Sequence, residues 1–190
     1  MIGAIVLAAG SSSRMGKSKA ELRTGPGGRT FVETIEGTLA GAGVSAVRIV
    51  VAPGAPRPPE RGVVNPDPSQ GMLSSVHCGL RAFPEDLEAV FVWPVDHPLV
   101  GRDTVVAMIG AFRASGAPVV VPTHEGRRGH PVLFAARVFS ELMAASPSLG
   151  ARAVVKAHDD RLELAVADGN VLEDIDTPED YARVFGAAFP

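Results

Sequence analysis

Four short apolar runs are spaced along the chain, with more polar segments of helical character between them. The runs are rich in β-branched side chains and do not alternate with polar residues: Ala4–Ala8, Val47–Val51, Val90–Trp93 and Val119–Val121. Such runs are typical of strands that a parallel sheet buries on both faces. The pattern therefore predicts a sheet of mostly parallel strands.

Helix signals lie between these runs. Thr30 and Glu33 have the spacing of a capping box, which predicts a helix that ends near Ala42. Thr177 and Pro178 predict the start of the last helix, with threonine as the N-cap and proline in the first turn. The remaining predicted helices are Gly71–Ala82, Asp103–Ala114 before Gly116, Phe139–Ala145 and Ala151–Ala157. Strands that alternate with helices imply right-handed βαβ units, so we expect a three-layer α/β fold.

Length and composition narrow the class of protein. The 190 residues, 46% of them hydrophobic, suit a single domain over residues 1–190 with a packed core. A net charge of −3 argues against nucleic acid as a partner, and no apolar run reaches the length of a membrane span. The one cysteine, Cys78, excludes a disulfide framework, which predicts a cytoplasmic protein with this thiol buried on a helix.

The segment Leu7–Lys19 follows the first apolar run and carries several small and basic residues. Its glycines Gly10 and Gly16 are separated by five residues, whereas a P-loop needs four. A P-loop is therefore a weaker interpretation of this segment than a nucleotide-binding loop of another type. The glycine spacing of a dinucleotide-binding turn is absent as well. A flexible, solvated Gly/Ser loop with incidental basic residues is the remaining structural alternative.

The side chains of this loop suit a nucleoside triphosphate. Ala8, Ala9 and Gly10 let the backbone pass close to a flat base and sugar. Ser12 and neighbouring N–H groups can bond phosphate oxygens, and Arg14 and Lys19 add two positive charges. We therefore predict that the nucleotide is bound by Leu7, Ala8, Ala9, Gly10, Ser12, Arg14 and Lys19.

The motif L-A-A-G-x-S-x-R-M-G-x-x-K, from Leu7 to Lys19, resembles that of nucleotidyltransferases with a Rossmann-like, nucleotide-diphospho-sugar-transferase fold. As far as Tyr181, the chain is similar to the molybdenum cofactor nucleotidyltransferases of the MobA-like NTP transferase family. The resemblance implies transfer of a nucleoside monophosphate from a nucleoside triphosphate to a phosphorylated small-molecule acceptor, such as molybdopterin or the molybdenum cofactor, with release of pyrophosphate. It also implies Mg²⁺ as the cofactor and a molybdoenzyme or its chaperone as a protein partner.

Acidic residues at two places in the chain suit a metal. Asp96 follows the third apolar run and lies between two prolines, which makes it a stiffly placed oxygen ligand for Mg²⁺. Asp174 and Asp176 share one face of a predicted strand that precedes Thr177. An Asx-turn and simple helix capping are the respective structural alternatives. By resemblance, Asp96 and Asp176 bind the metal, with Asp174 as the substitute, and the role of His97 stays open.

Two further segments complete the predicted site. The first segment, from Asn65 to Ser75, leads into a predicted helix whose N-terminus attracts anions, although an ordinary serine-capped helix has the same pattern. By resemblance this segment binds the base and ribose through Asn65, Gly71, Ser74 and Ser75. The second, Gly126–Pro131, is a basic turn between two apolar runs and predicts a hairpin or a flap over the site. Its basic side chains suit an acceptor pocket for an anionic substrate, formed by Arg128, Gly129 and His130, although a solvated hairpin tip is the structural alternative.

The L-A-A-G and R-G-H-P sequences resemble the cytidylyltransferase branch, which favours CTP over GTP. Catalysis is then assigned to Lys19, Arg14 and Asp96. The alternatives are a different acceptor (a sugar phosphate or phospho-lactate), a P-loop kinase or NTPase, and a non-catalytic accessory protein that binds a nucleotide. The presence of Lys19, Asp96 and Asp176 together argues against the last, because binding alone has less need of two separated metal carboxylates.

Overall fold

A computed structural model describes residues 1–10, 19–56, 60–83, 86–146 and 150–189. Within these ranges eight strands form one sheet: β1 (Ile2–Ala8), β2 (Ala46–Val51), β3 (Gly62–Val64), β4 (Ala89–Pro94), β5 (Val119–His124), β6 (Arg127–Arg128), β7 (Val132–Ala135) and β8 (Leu162–Ala165). The α-helices are α1 (Phe31–Gly41), α2 (Met72–Arg81), α3 (Arg102–Ser115), α4 (Phe139–Ala144), α5 (Arg152–Ala157) and α6 (Pro178–Phe185). Short 3₁₀ helices cover Lys19–Glu21, Pro68–Gln70, Ala136–Val138 and Gly169–Leu172.

The sheet runs in the order β3-β2-β1-β4-β7-β5-β6, with β8 paired to β5. β1 is parallel to β2 and β4, β2 to β3, and β5 to β8, whereas β7 runs antiparallel between β4 and β5. The register sets Leu7 beside Val50 and Pro94, so the carboxyl ends of the three central parallel strands lie at one edge. The predicted mostly parallel α/β sheet is confirmed.

Helices cover both faces of the sheet. Alternate residues of β1 enter two separate apolar clusters, because successive side chains of a strand point to opposite faces. Val6 packs in the cluster that contains Phe31 of α1 and Met108 of α3, together with α6. Ile5 packs in the cluster that contains Leu73 of α2, together with α4 and α5. The three-layer arrangement expected from the sequence is therefore present.

Local signals begin and end the helices where the sequence indicates. The Thr30 hydroxyl accepts from the backbone N–H of Glu33 at 3.1 Å, and the Glu33 carboxylate accepts from the N–H of Thr30 at 2.7 Å. Gly116 ends α3 with a left-handed φ of 63°, which glycine adopts without strain. Cys78 lies on α2 and is partly buried. Among the described helices, none is both long and apolar enough to cross a bilayer.

Two predictions about the last third of the chain have different outcomes. The hairpin at Gly126–Pro131 is confirmed, because β5 and β6 pair in antiparallel register on either side of a turn. The strand through Asp174 and Asp176 is wrong. The segment is extended and Ile175 donates to the carbonyl of Asp96 at 3.0 Å, but no ladder of pairs follows among the described residues, so no strand forms.

Candidate active site

The carboxyl ends of β1 and β4 open into a cleft of about 360 Å³, bounded on another side by the start of α2. Ligands of open α/β sheets bind beyond this edge of the strands. The cleft is lined by Leu7, Ala8, Ala9, Gly10, Lys19, Pro68, Gly71, Met72, Ser75, Pro94, Val95 and Asp96. Most of these positions are predicted site residues, whereas Pro68, Met72, Pro94 and Val95 lie within the same segments but are not predicted to contact a ligand.

The first loop enters the cleft with small side chains. Ala8 and Ala9 are 9% and 2% exposed, and a Cβ added to Gly10 would meet no described atom within 4 Å. The backbone at this point is therefore accessible to a flat ligand. Ser12 and Arg14 lie outside the described residues, so their roles in nucleotide binding stay predictions.

Lys19 joins the two predicted metal carboxylates. Its Nζ lies 3.2 Å from Oδ2 of Asp96 and is also hydrogen-bonded to Oδ1 of Asp176. Burial opposes the charge of this ammonium, but the hydrogen bond that it donates to Asp176 and the charge of Asp96 outweigh burial and raise the pKa of Lys19. The lysine is therefore a fixed positive charge between two carboxylates that are 77 and 157 residues away in the sequence.

Asp96 is placed by backbone contacts of the turn that follows β4. The N–H of Val95 donates to the carbonyl of Leu7 on β1 at 3.2 Å. The fully buried indole of Trp93 donates from Nε1 to the carbonyl of His97 at 3.0 Å. These bonds lie immediately before and after Asp96, so they fix the backbone from which its carboxylate projects.

Asp176 is placed by the cap of α6. The carboxylate of Asp180 accepts hydrogen bonds from the N–H of Thr177 at 3.0 Å and from the N–H of Asp176 at 3.2 Å. The hydroxyl and N–H of Thr177, among other donors, lower the pKa of Asp180, which keeps this cap ionised. Ile175 donates to the carbonyl of Asp96 at 3.0 Å and thereby ties the two carboxylate-bearing segments together.

The two carboxylates fit a hard divalent cation. Oδ1 of Asp96 is buried and accepts no hydrogen bond from the described residues, so it has an unused lone pair inside the site. Within the described ranges no group of three or more His, Cys, Asp or Glu residues is arranged to hold a metal. Magnesium is commonly bound by one or two carboxylates plus substrate phosphates and water, so two carboxylates are a sufficient protein contribution.

Asn65 lies under the cleft and organises its α2 wall. Its amide donates to the hydroxyls of Ser74 at 2.7 Å and Ser75 at 2.9 Å, and it accepts from the N–H of Asp67 at 3.0 Å. Asn65 is 1% exposed, whereas Gly71 and Ser75 line the cleft directly. The amide of Asn65 is thus engaged with protein groups, and its contribution is to orient the residues that face the ligand.

His97, which is buried, and His130, which is partly buried, form a pair beside Asp96. Their ring centroids are 4.9 Å apart, and Nδ1 of each ring is buried without a hydrogen-bond partner among the described residues. Burial lowers the pKa of His97, although the charges of Asp96 and Asp174 oppose this shift. Burial and the neighbouring His97 lower the pKa of His130 to about 4, so both rings are neutral at physiological pH. Asp174 itself is exposed.

The structure separates the residues predicted to bind the acceptor. Gly129 packs so closely that an added Cβ would lie 2.3 Å from the carbonyl oxygen of Val171, and His130 donates from its N–H to the same oxygen at 2.8 Å. These contacts hold His130 next to the site. Arg128 instead bonds through Nε to Glu163 on β8 at 2.9 Å, at an exposed position on the hairpin. Its guanidinium is therefore held by β8 and does not join the histidine pair.

The cleft at the carboxyl ends of β1 and β4 thus has Lys19 and Asp96 in its lining, and Lys19 also contacts Asp176. The model of the MobA-like NTP transferase domain matches residues 4–162, which contain β1, the cleft and Asp96. The chain belongs to the MobA-like NTP transferase domain family. The predicted family is therefore confirmed over most of the chain.

Named relatives within this NTP transferase family include both base specificities. A probable molybdenum cofactor guanylyltransferase of Mycobacterium avium (strain 104) is 33% identical over 64% of this chain. The chain covers 62% of the length of that relative. The molybdenum cofactor cytidylyltransferase of Escherichia coli (strain K12) is 28% identical over 95% of this chain and 93% of its own length.

A solved structure extends the likeness to the whole fold. The crystal structure of Rv0371c from Mycobacterium tuberculosis H37Rv in complex with manganese superposes with a TM-score of 0.76 at 25% identity. The comparison covers 98% of this chain and 99% of the other. The likeness in fold therefore extends through α6 and the preceding segment that contains Asp176, beyond the residues that the family model matches.

Proposed function

We propose that this protein is a magnesium-dependent nucleotidyltransferase that transfers a nucleoside monophosphate, preferably from CTP, to the phosphate of a molybdopterin-type acceptor and releases pyrophosphate. The observation that carries the proposal is the convergence of Asp96 and Asp176 on Lys19, with Lys19 and Asp96 in the lining of the cleft. Phosphoryl-group chemistry needs positive charge close to the phosphates. Lys19, together with a metal ion held by the two carboxylates, would supply that charge beside a nucleotide-sized cleft.

The reaction asks the protein to position two polyanions and to neutralise charge. The acceptor phosphate attacks the α-phosphorus of the triphosphate, the new phosphoanhydride bond forms, and the bond to the β-phosphate breaks as pyrophosphate leaves. Lys19 supplies a positive charge at the mouth of the cleft, and Arg14 adds a second by resemblance. Asp96 and Asp176 would hold Mg²⁺, which when bound neutralises charge on the phosphate oxygens.

The walls of the cleft would hold the nucleoside and the acceptor. Ala8, Ala9 and Gly10 leave the backbone open to the base, while Gly71 and Ser75 face it from α2. The neutral pair of His97 and His130 lies beside Asp96, with Nε2 of His97 3.9 Å from Oδ1 of Asp96. Neutral imidazoles do not add charge, so they suit the heteroaromatic part of an acceptor better than its phosphate, which needs a cation.

The preference for CTP over GTP rests on two short sequences, L-A-A-G in the first loop and R-G-H-P in the hairpin. The named relatives carry either specificity, one being a guanylyltransferase and one a cytidylyltransferase. GTP is therefore the second candidate donor, and a protein partner that receives the product, such as a molybdoenzyme or its chaperone, is part of the same proposal. Rv0371c, which shares this fold, was crystallised as a complex with manganese, a divalent cation.

Pyrophosphate release tests the function directly. Purified protein is incubated with Mg²⁺, with molybdopterin or its molybdenum form, and with CTP, GTP, ATP or UTP in separate reactions. Release with CTP alone supports the proposal, and release with GTP alone moves the donor to the guanylyl branch. Orthophosphate in place of pyrophosphate would point to an NTPase, and no release from any nucleotide that binds would point to another acceptor or to an accessory role.

A further inference from the structure

The ammonium of Lys19 lies where the proposed cation would be held. The side chains of Lys19, Asp96 and Asp176 are 15%, 25% and 35% exposed, so the contact is largely shielded from water. We propose that Lys19 holds the two carboxylates while no divalent cation is bound and leaves them when metal and nucleotide enter, so that the two ligands bind cooperatively. The identity of the nucleotide in this proposal rests on the proposed function.

The carboxylate pair does not depend on Lys19 for its assembly. Ile175 donates to the carbonyl of Asp96, and Asp180 accepts from the N–H of Asp176, so backbone contacts bring the two segments together. If Lys19 lost its charge, the carboxylates would stay close and their mutual repulsion would no longer be neutralised. Such a pair should bind a cation more tightly than the pair that Lys19 already neutralises.

The backbone of Lys19 is anchored, so the release needs movement of the side chain alone. Leu22, which is 2% exposed, accepts from the N–H of Phe31 at 2.7 Å and donates to the carbonyl of Lys19 at 3.3 Å. The side chain of Lys19 also lines the cleft. A lysine side chain has four flexible methylene groups, so its ammonium can turn from the carboxylates towards a phosphate in the same cleft.

The charge count explains why metal and nucleotide should act together. Asp96 and Asp176 carry two negative charges and the ammonium of Lys19 carries one positive charge, so these three groups together have a net charge of −1. A triphosphate offers Lys19 a stronger anionic partner and frees the carboxylate oxygens that Lys19 holds. By thermodynamic linkage, the nucleotide then raises the affinity for metal by the same factor as metal raises the affinity for nucleotide.

The first experiment measures Mn²⁺ binding without nucleotide, by calorimetry and by loss of the free Mn²⁺ resonance signal. Lys19→Met should bind Mn²⁺ roughly tenfold or more tightly than the wild type, because a neighbouring positive charge is gone. Lys19→Arg, which keeps the charge, should show no such gain, and Lys156→Met, at an exposed position of α5, is the matched control. An unchanged or weaker affinity in folded Lys19→Met would overturn the proposal.

The nucleotide arm uses the same proteins with α,β-methylene CTP. The analogue should raise the Mn²⁺ affinity of the wild type by a larger factor than that of Lys19→Met, because the variant has no ammonium to release. An equal factor in both proteins would contradict the proposed cooperativity.

A second measurement needs no variant and decides the matter if Lys19→Met does not fold. The chain has three lysines, Lys17, Lys19 and Lys156. After ¹³C-dimethylation, which preserves charge, the Lys19 resonance should shift saturably with diamagnetic Mg²⁺, while that of Lys156 stays fixed. A fixed Lys19 resonance under conditions in which Mg²⁺ binding is measured would overturn the proposal.

The outcomes separate this inference from the proposed function. The metal arm uses no nucleotide, so a gain in Mn²⁺ affinity in Lys19→Met supports the Lys19 contact even if no nucleotide releases pyrophosphate. Pyrophosphate release together with an unchanged metal affinity would leave the transferase intact and refute the cooperative role of Lys19.

Discussion

Asn65 offers a sharp test of how the cleft is built. It follows β3 directly, its backbone N–H donates to the carbonyl of Val51 at 2.9 Å, and its side chain is almost fully buried. The side-chain amide joins three groups, the hydroxyls of Ser74 and Ser75 and the N–H of Asp67. Asn65→Ala removes all three bonds while the backbone contact stays.

The expected cost follows from those bonds. Each of the three hydrogen bonds contributes about 1 kcal/mol net to the free energy of unfolding. Removing a bond costs more where the partner stays buried than where water can reach it, so we expect a total loss of about 3 kcal/mol. For a chain of this length, 1 kcal/mol corresponds to about 2–4 °C in melting temperature. Asn65→Ala should therefore melt about 6–12 °C below the wild type. The KM for the nucleotide should rise as well, because Ser75 lines the cleft.

Thermal melts followed by circular dichroism, with and without nucleotide, measure both effects. Asn170→Ala is the matched control, since Asn170 is a partly exposed asparagine in the 3₁₀ helix that precedes the α6 cap. It should melt within about 2 °C of the wild type, as surface substitutions usually do. A melting temperature for Asn65→Ala equal to that of the control would refute the claim that this amide organises the wall.

Three further variants test other parts of the site. Asp96→Asn should lower turnover more than about 100-fold with an unchanged circular dichroism spectrum, since even outer partners of metal ligands cost 10–100-fold. The wild type should lose stability as pH falls from 6.5 towards 4, because His130 with a pKa of about 4 stays neutral in the fold while the unfolded chain takes up a proton. In His130→Gln, the fall in the free energy of unfolding between pH 6.5 and 4, measured by urea denaturation, should be smaller than in the wild type by at most about 3 kcal/mol. Arg128→Gln should change the acceptor KM by less than about twofold, measured in the pyrophosphate assay, because its guanidinium bonds Glu163 at an exposed position.

The sequence predicts the parts of this fold whose signals are local. The apolar run around Val6 and the capping box at Thr30 and Glu33 appear as strand and helix because periodicity and capping depend on near neighbours. The sequence also indicates the small residues of the first loop and Asp96, since both follow apolar runs that end at the same edge of the sheet. Because ligands of open α/β sheets bind at the carboxyl ends of the strands, residues at these positions are expected to line one cleft.

Features that depend on distant pairing are harder to predict. β8 contains alternately exposed side chains and is held as a strand by β5, from which β6, β7, α4 and α5 separate it along the chain. Arg128 looks like an acceptor ligand because it lies in a basic turn, yet Glu163 on β8 bonds its guanidinium. The carboxylate that neutralises Arg128 comes from a strand with no apolar run, so a local reading of the turn does not find it.

In the segment before α6, helix capping and the proposed role of Asp176 as a metal ligand are compatible explanations of the same acidic residues. A local pattern of Thr177 and Asp180 is explained in full by a capping box, and the structure contains that box. The same Asp180 carboxylate also accepts the N–H of Asp176, while Ile175 bonds the carbonyl of Asp96. The cap therefore sets the backbone from which Asp176 reaches Lys19. A strand at this position would have needed a neighbouring strand to hold it, whereas a capped extended segment needs one backbone bond to the turn after β4.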